Sequence, residues 1–154
     1  MRDDFPLQRS VLFVKSANWA VNGMSENPKI LIVEDEIPVA MMMVFLLTRA
    51  EIKTEVAATG EKAMRLAENG NFDLITLDVD LPDGNGFEIC SRLKENARLC
   101  DTPIVFVSGR PCEQDVRRGL EAGAVDYITK PFDALDFAQR LLSHIRQVKE
   151  TALR

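Results

Sequence analysis

Acidic side chains, a serine and a lysine follow four apolar runs of the chain. Glu34 and Asp35 come directly after the first run, Asp78 follows a later one, and Ser108 and Lys130 follow the last two. Carboxylate oxygens bind a hard cation such as Mg²⁺, and a carboxylate can attack phosphorus to form an aspartyl phosphate. A bound cation and an ammonium group would offset charge that develops on phosphoryl oxygens. These residue types therefore predict phosphoryl-transfer chemistry.

A site of this kind needs a scaffold that brings separate segments together. From residue 29 onward, apolar runs alternate five times with segments of helical periodicity, which is typical of parallel βα units. In an open parallel sheet the carboxyl ends of the strands share one edge, so a (βα)5 arrangement brings the candidate residues together. The predicted strands cover residues 29–33, 53–58, 72–77, 103–107 and 124–129. The predicted helices cover residues 38–49, 61–69, 86–99, 113–122 and 134–149.

The first, third and fourth predicted strands are the most apolar. Strands that are covered by helices on both faces read as continuous apolar runs. We therefore expect these three strands at the centre of the sheet.

The composition indicates one folded domain with no attraction for polyanions. The chain has 154 residues, of which 46% are hydrophobic and 28% charged, the proportions of a soluble globular domain. Its net charge is -5 and it has no basic run, so we expect no direct nucleic-acid binding. The apolar run 37–47 is shorter than the roughly 20 residues of a spanning helix, which predicts no membrane insertion. The N-terminus lacks a secretory apolar region, so a cytoplasmic protein is expected.

The cysteines and the histidine form no recognisable disulfide or zinc pattern. Cys90, Cys100 and Cys112 are odd in number and lack CxxC spacing, and His144 is the only histidine. We expect reduced and mostly buried thiols, and an ordinary surface histidine.

The predicted elements divide the chain into three parts. Residues 1–28 form an N-terminal extension without a predicted element, residues 29–148 form the domain, and residues 149–154 form a C-terminal tail. Two interpretations of the extension stay open: translation starts at Met24, or the extension is a genuine arm, ordered or disordered.

Four motifs in order resemble the receiver (CheY-like) domains of two-component response regulators. They are residues 30–36 (ILIVEDE), 77–86 (LDVDLPDGNG), 107–109 (VSG) and 127–132 (YITKPF), and their spacing agrees with that family. The resemblance covers the predicted domain. It implies a doubly wound α/β flavodoxin-like fold, (βα)5, with a five-stranded parallel sheet of order 2-1-3-4-5. The pattern of apolar runs does not by itself establish this strand order.

The resemblance also assigns the residues of a phosphorylation site. It implies that Asp78 is the phosphoacceptor. It makes Glu34, Asp35, Asp78 and the backbone carbonyl of Asp80 the ligands of Mg²⁺. The phosphoryl donor would be a histidine kinase or a histidine phosphotransfer protein, and the chain would catalyse only its own phosphorylation and dephosphorylation.

Further roles follow from the same resemblance. Ser108 and Lys130 would bind phosphoryl oxygens, and Ser108 and Tyr127 would form the conformational switch. The bond between Lys130 and Pro131 would be cis. A hypothesis specific to this chain is that Asp80 pairs with Arg110 and tunes the rate of dephosphorylation.

Three functions stay open on the sequence. The preferred one is a single-domain response regulator, and the second is a receiver fragment of a larger regulator. The third is a haloacid-dehalogenase-type phosphatase, because residues 78–80 resemble the DxD nucleophile motif of that family. Those enzymes have a further acidic motif after the lysine, which is missing here.

The first helix predicts a docking surface, because residues 39–47 are apolar without interruption. If Val39, Met42, Met43, Leu46 and Leu47 face the sheet, then Ala40, Met41, Val44 and Phe45 face outward. An exposed strip with methionine suits partner docking, here of the kinase or phosphotransfer protein. In the alternative, residues 11–14 or Trp19 of the extension cover the strip.

A homodimer is a further expectation. Asp126 and Arg140 resemble an ion pair through which one receiver subfamily dimerises. Val116 departs from the basic residue that the subfamily has at its position.

Overall fold

The computed structural model describes residues 27–109 and 111–153. Within these residues, five strands form one parallel sheet, a two-stranded hairpin follows the third of them, and five helices pack around the sheet. The predictions for residues 1–26, including Met24 and Trp19, and for Arg110 lie outside this range. The strands are β1 (Lys29–Val33), β2 (Lys53–Ala57), β3 (Leu74–Leu77), β4 (Asp80–Leu81), β5 (Gly84–Asn85), β6 (Ile104–Gly109) and β7 (Asp126–Lys130). The helices are α1 (Ile37–Arg49), α2 (Gly60–Asn69), α3 (Gly86–Glu95), α4 (Glu113–Glu121) and α5 (Ala134–Ala152).

The main sheet has the order β2-β1-β3-β6-β7. Counted along the chain without the hairpin, this order is 2-1-3-4-5, so the expected doubly wound α/β fold is confirmed. The three most apolar strands, β1, β3 and β6, occupy the centre, where nearly every side chain is buried. The edge strands β2 and β7 are partly exposed, which agrees with their more polar sequences.

The core has two apolar layers, one on each face of the sheet. On one face, α1 contributes Met43 and Leu47, and α5 contributes Phe137 and Leu141. On the other face, α2 and α3 cover the sheet, with Leu93 of α3 fully buried. Burial of one such leucine side chain contributes about 2 kcal/mol to the hydrophobic stabilisation.

The helix and strand ends differ from the predicted ones where polar contacts decide them. The third helix ends at Glu95 rather than at residue 99. The Asn96 side chain accepts a hydrogen bond from the Arg98 N–H, and this bond competes with the backbone hydrogen bonds that would continue the helix. β6 and β7 continue to Gly109 and Lys130, so Ser108 and Lys130 lie within strands instead of after them. The hairpin was not predicted.

The orientation predicted for the first helix is partly wrong. Ala40 is buried, and Val44 is half-buried and packs against the core, whereas Met42 is 55% exposed. The buried residues are at positions 40, 43 and 47, which lie on one side of the helix. The outward side of the helix is therefore rotated about its axis relative to the predicted one. The exposed apolar face of α1 consists of Ile37, Met41, Met42 and Phe45.

Two predictions about sulfur and imidazole side chains also need correction. Only Cys90 is buried, while Cys100 and Cys112 are exposed because they lie in the turn after α3 and at the start of α4. His144 is not an ordinary surface histidine: its side chain is 18% exposed and its Nε2 lies 2.9 Å from Asp126 Oδ2. Among the described residues, no helix has the length and apolarity needed to cross a bilayer.

Asp126 joins β7 to α5 through a charged cluster. Arg140 donates hydrogen bonds to both of its carboxylate oxygens, from Nε at 2.7 Å and from an Nη at 2.6 Å. Burial raises the pKa of Asp126, but the bonds from Arg140, His144 and the Tyr127 N–H outweigh it and hold the pKa below its ordinary value. The pair is thus formed within one chain, and the expected homodimer stays a prediction.

Asp126→Asn is expected to lower the free energy of unfolding by about 1 kcal/mol near neutral pH. Because the folded-state pKa is depressed, this stabilisation is complete above the ordinary carboxyl pKa of 3.8 and is lost as the pH falls through the folded value. Urea unfolding near neutral pH and at about pH 3 measures the difference between variant and wild type. A difference that is equal at both pH values would contradict the assignment to the ionised carboxylate.

Candidate functional site

The carboxyl ends of β1, β3, β6 and β7 bring the five reactive residues together. Glu34 and Asp35 follow β1, Asp78 follows β3, Ser108 lies near the end of β6, and Lys130 ends β7. Parallel pairing places these ends side by side, with Val33 opposite Leu77 and Ser108 opposite Thr129. The predicted convergence at one edge of the sheet is therefore found in the structure.

Asp78 lies between a hydroxyl and an ammonium group. The Ser108 hydroxyl donates to Asp78 Oδ1 at 3.0 Å, and Lys130 Nζ lies 3.0 Å from Asp78 Oδ2. The Asp80 N–H makes a longer contact of 3.3 Å with Asp78 Oδ1. Asp78 is only 5% exposed, so its carboxylate has little contact with solvent. Each of its two oxygens accepts a hydrogen bond from a side chain instead.

Lys130 also binds Glu34, the most buried acidic residue of the site. The distance from Lys130 Nζ to Glu34 Oε2 is 2.5 Å, and Glu34 is 2% exposed. Burial raises the pKa of Glu34, against the lowering effect of its hydrogen bonds with Lys130 and the Glu36 N–H. Burial acts to lower the pKa of Lys130, but its bonds with Glu34 and Asp78 outweigh that effect and raise the pKa. The ammonium form is thereby favoured.

The acidic side chains form a group that fits a divalent cation. Carboxylate oxygens of Glu34, Asp35 and Asp78 lie within 4.8 Å of one another. All three donors are hard oxygen ligands, the kind that Mg²⁺ prefers, and the Lys130 ammonium pairs with only two of the three carboxylates, those of Glu34 and Asp78. Asp35 is exposed, so a cation can reach the group from solvent.

A cavity of about 690 Å³ opens over the acidic group. Asp35, Asp78 and Asp80 lie on its polar side with Ser108 and Lys130. Apolar side chains of α1 and of the segment after β7 form the rest of its wall: Val39, Met42, Pro131 and Phe132. The cavity therefore connects the acidic group with the exposed apolar face of α1.

Tyr127 is not part of the acidic group. It belongs to an aromatic cluster with Phe106 and Phe87. Its ring stacks on Phe106 with the centroids 5.7 Å apart. Burial raises the pKa of the Tyr127 hydroxyl, and the Ser108 hydroxyl acts in the opposite direction. Ser108 is thus the residue between Asp78 and the aromatic cluster. The bond between Lys130 and Pro131 is cis, as expected.

The segment after Asp78 is held by a close backbone approach. The Gly86 N–H donates to the Val79 carbonyl at 2.7 Å, and a Cβ at position 86 would lie 2.2 Å from the carbonyl oxygen of Asp78. Only glycine leaves room for this contact. The hairpin of β4 and β5 lies between the two residues in sequence and therefore starts and ends next to Asp78.

Sequence reasoning missed the role of Asp83 in this segment. On the sequence Asp83 resembles a solvated loop residue, yet its carboxylate accepts hydrogen bonds from the Gly60 and Glu61 N–H groups at 2.8 and 2.9 Å. The residues around it predict a turn, but nothing local indicates a partner more than twenty residues earlier.

Comparisons with known proteins identify the family. The family model of the response regulator receiver domain matches residues 30–142, and the chain belongs to this family. It is 37% identical to the phosphate regulon transcriptional regulatory protein PhoB of Klebsiella pneumoniae over 125 residues, covering 81% of this chain and 55% of the relative. It is 37% identical to the transcriptional regulatory protein YvrH of Bacillus subtilis over 131 residues, covering 82% and 54%. The chain spans about half the length of the curated relatives it matches.

Solved structures give the same family. A CheY-like receiver domain protein from Methanospirillum hungatei matches with a TM-score of 0.77 at 25% identity, covering 82% of this chain and 99% of that one. The non-phosphorylated HemR receiver domain from Leptospira biflexa matches with a TM-score of 0.70 at 34% identity, covering 77% and 94%.

Membership in the family decides between the classes of function. Receiver domains take phosphoryl groups from histidine kinases in two-component systems and are not enzymes beyond the chemistry of their own phosphorylation. The haloacid-dehalogenase alternative is therefore wrong. The match ends at residue 142, within α5, and the predicted domain limits stay predictions.

Gly86→Ala is expected to lower the free energy of unfolding by about 2 kcal/mol, because the new methyl group overlaps the Asp78 carbonyl. Gly84→Ala is the matched control, since a Cβ at position 84 meets no atom within 4 Å. Urea unfolding of both variants measures the effect. Equal stabilities of the two variants would contradict the close approach at Gly86.

Proposed function

We propose that this chain is a phosphorylation-dependent switch whose phosphoacceptor is Asp78. The donor is the phosphohistidine of a histidine kinase or of a histidine phosphotransfer protein. The observation that carries the proposal is the position of the Asp78 carboxylate between the Ser108 hydroxyl and the Lys130 ammonium, beside the carboxylates of Glu34 and Asp35.

In the transfer, a carboxylate oxygen of Asp78 forms a bond to phosphorus while the bond from phosphorus to the donor imidazole nitrogen breaks. The electron pair of the broken bond stays on the imidazole. Lys130, already paired with Asp78, offsets the negative charge on the phosphoryl oxygens. Mg²⁺, held by Glu34, Asp35, Asp78 and the Asp80 carbonyl, would supply further positive charge at these oxygens.

The switch involves Ser108 and Tyr127. Ser108 donates to Asp78 Oδ1 before the transfer and can donate to a phosphoryl oxygen after it. The Tyr127 and Phe106 rings lie against α4, since a Cβ at Gly119 would be 3.0 Å from Phe106 and 3.4 Å from Tyr127. A shift of Ser108 therefore changes the packing of β7 and α4, and phosphorylation shifts an existing equilibrium.

The kinase or phosphotransfer protein docks on the exposed apolar face of α1. Met41 and Phe45 are 67% and 58% exposed, and Met42 connects this face with the cavity over the acidic group. Val44, part of the surface expected from the sequence, contributes less because it packs against the core. Burial of such a face next to the site would bring a phosphohistidine to Asp78.

The names of the relatives favour a second candidate, a receiver that belongs to a larger transcriptional regulator. The single-domain regulator and this candidate share the chemistry at Asp78 and differ in what the switch controls. The mass of the native protein, measured by immunoblot of the source cells, distinguishes them. The cytoplasmic location and the absence of direct nucleic-acid binding stay predictions.

Incubation with acetyl phosphate and Mg²⁺ is expected to add one phosphoryl group to the wild type, because a small acyl phosphate replaces the phosphohistidine as donor. Asp78→Asn should give no adduct, since an amide oxygen is a poor nucleophile. Intact-mass spectrometry after short incubation measures both, and omission of Mg²⁺ should abolish the adduct. Asp101→Asn, an exposed substitution of the same kind, is the control that should label normally. An adduct on Asp78→Asn would overturn the assignment.

Met41→Gln combined with Phe45→Gln is expected to slow phosphotransfer from a phosphorylated histidine phosphotransfer protein by roughly tenfold, because the apolar docking contact is lost. Labelling by acetyl phosphate should not change, since the acidic group is intact. Leu120→Gln on α4, at a leucine of similar exposure, is the control. Equal phosphotransfer rates for the double variant and the control would contradict docking on α1.

A further inference from the structure

Asp83 links the hairpin after Asp78 to a different part of the fold. Asp83 lies in the turn between β4 and β5, and its two carboxylate oxygens accept the Gly60 and Glu61 N–H groups at the start of α2. These N–H groups have no partner within the helix. The bonds from Glu61 and Gly60 hold the pKa of Asp83 below its ordinary value, so the carboxylate is ionised at neutral pH.

The hairpin depends on such external contacts. Each of its strands has two residues, and an isolated two-stranded hairpin is at best marginally stable. Its end is fixed at Gly86 by the close approach to Asp78. Its turn is exposed and is fixed by Asp83. Asp80 begins the hairpin. Along the chain it lies between Asp78 and the two attached residues, Asp83 and Gly86.

The start of α2 is a firm anchor for the turn. Gly60 is buried, and a Cβ there would lie 2.5 Å from Ile89 Cδ1 of α3, so α2 and α3 are in close contact at this point. The preceding strand β2 is tied to the acidic group, because the Glu34 N–H donates to the Ala57 carbonyl at 3.0 Å. Glu34 of the acidic group and the hairpin that Asp80 begins are thus connected through β2, α2 and Asp83.

From this geometry we propose that Asp83 is a positioning residue for the cation site: its two bonds to α2 hold the backbone from Asp78 to Asp80 in the arrangement that binds Mg²⁺. This inference rests on the proposed function, since it assigns the Asp80 carbonyl as a ligand. Asp83 itself does not contact the cation. Its loss therefore weakens Mg²⁺ binding through the position of the hairpin.

Asp83→Ala tests the proposal against Thr59→Ala. The Thr59 hydroxyl accepts the Lys62 N–H at 3.1 Å and caps the same helix, and its bond stays within α2 rather than reaching the hairpin. Mg²⁺ alone is titrated into each folded protein by calorimetry, and two-dimensional NMR follows the Asp80 and Gly86 amides. Asp83→Ala should raise the Kd for Mg²⁺ roughly tenfold and move both amide signals in the metal-free protein. Thr59→Ala should leave the Kd within about twofold of the wild type.

Two further variants distinguish an effect of the hairpin's position on Mg²⁺ binding from an effect of the lost negative charge. Asp83→Asn removes the charge and keeps one acceptor oxygen, so its Kd should lie between those of the wild type and Asp83→Ala. Glu61→Gln removes a nearby exposed charge but keeps the N–H that binds Asp83, and it should bind Mg²⁺ like the wild type. A loss in Glu61→Gln equal to that in Asp83→Ala would overturn the proposal in favour of a general charge effect.

The outcomes distinguish this inference from the proposed function. If the wild type binds Mg²⁺ and Asp83→Ala binds it equally well, Asp83 has no positioning role and the proposed function stands. If the folded wild type binds no Mg²⁺, the proposed function fails together with the assignment of the site. Circular dichroism of each variant establishes that the measurements are made on folded protein.

Discussion

The contact of the Lys130 ammonium with two buried carboxylates is the interaction on which the rest of the site depends. Glu34 and Asp78 are nearly inaccessible to solvent, and buried charges of like sign are costly unless a counter-charge and hydrogen bonds compensate them. Lys130 supplies the counter-charge to both. The ends of β1, β3 and β7 must therefore lie within a few ångströms of one another, which the parallel sheet provides.

The sheet supplies this convergence with rigid elements. Ser108 and Lys130 lie within the ladder of β6 and β7, where backbone pairing fixes their direction, and Asp78 directly follows the buried strand β3. The remaining residues of the site, Asp35 and Asp80, are exposed. Asp35 follows the end of β1, and Asp80 begins the hairpin, whose turn is attached to α2 by Asp83. The paired strands thus hold the acceptor, while exposed residues beside them complete the site.

The surroundings of the site divide into an apolar side and an aromatic side. On the apolar side, Met42 and Val39 connect the cavity with the exposed face of α1. On the aromatic side, Ser108 lies between Asp78 and the stacked rings of Phe106 and Tyr127. A partner that approaches from α1 and a response that passes through β7 would use different surfaces of one small domain. This separation would allow a downstream partner to respond to phosphorylation at a surface distant from the phosphorylated residue.

The contacts that the sequence did not reveal join residues far apart along the chain. The cluster of Asp126, Arg140 and His144, and the bonds from Asp83 to α2, satisfy polar groups that come together only after packing. The end of α3 at Glu95 is different, because the Asn96 turn is local and its chemistry could have been recognised. The rotation of α1 depends on which apolar side chains fit the core, and an uninterrupted apolar run contains no information about that choice.

The sequence by itself determined the (βα)5 alternation, the three central strands and the residues of the acidic group. It could do so because apolar periodicity is local and because the strand ends of a parallel sheet converge wherever the sheet forms. The strand order and the roles of the residues came from the resemblance to the receiver family. Only the tertiary structure decided the outward face of α1, the inner position of His144 and the attachment of the hairpin by Asp83. These depend on side-chain packing and on hydrogen bonds between distant segments, which neither composition nor spacing specifies.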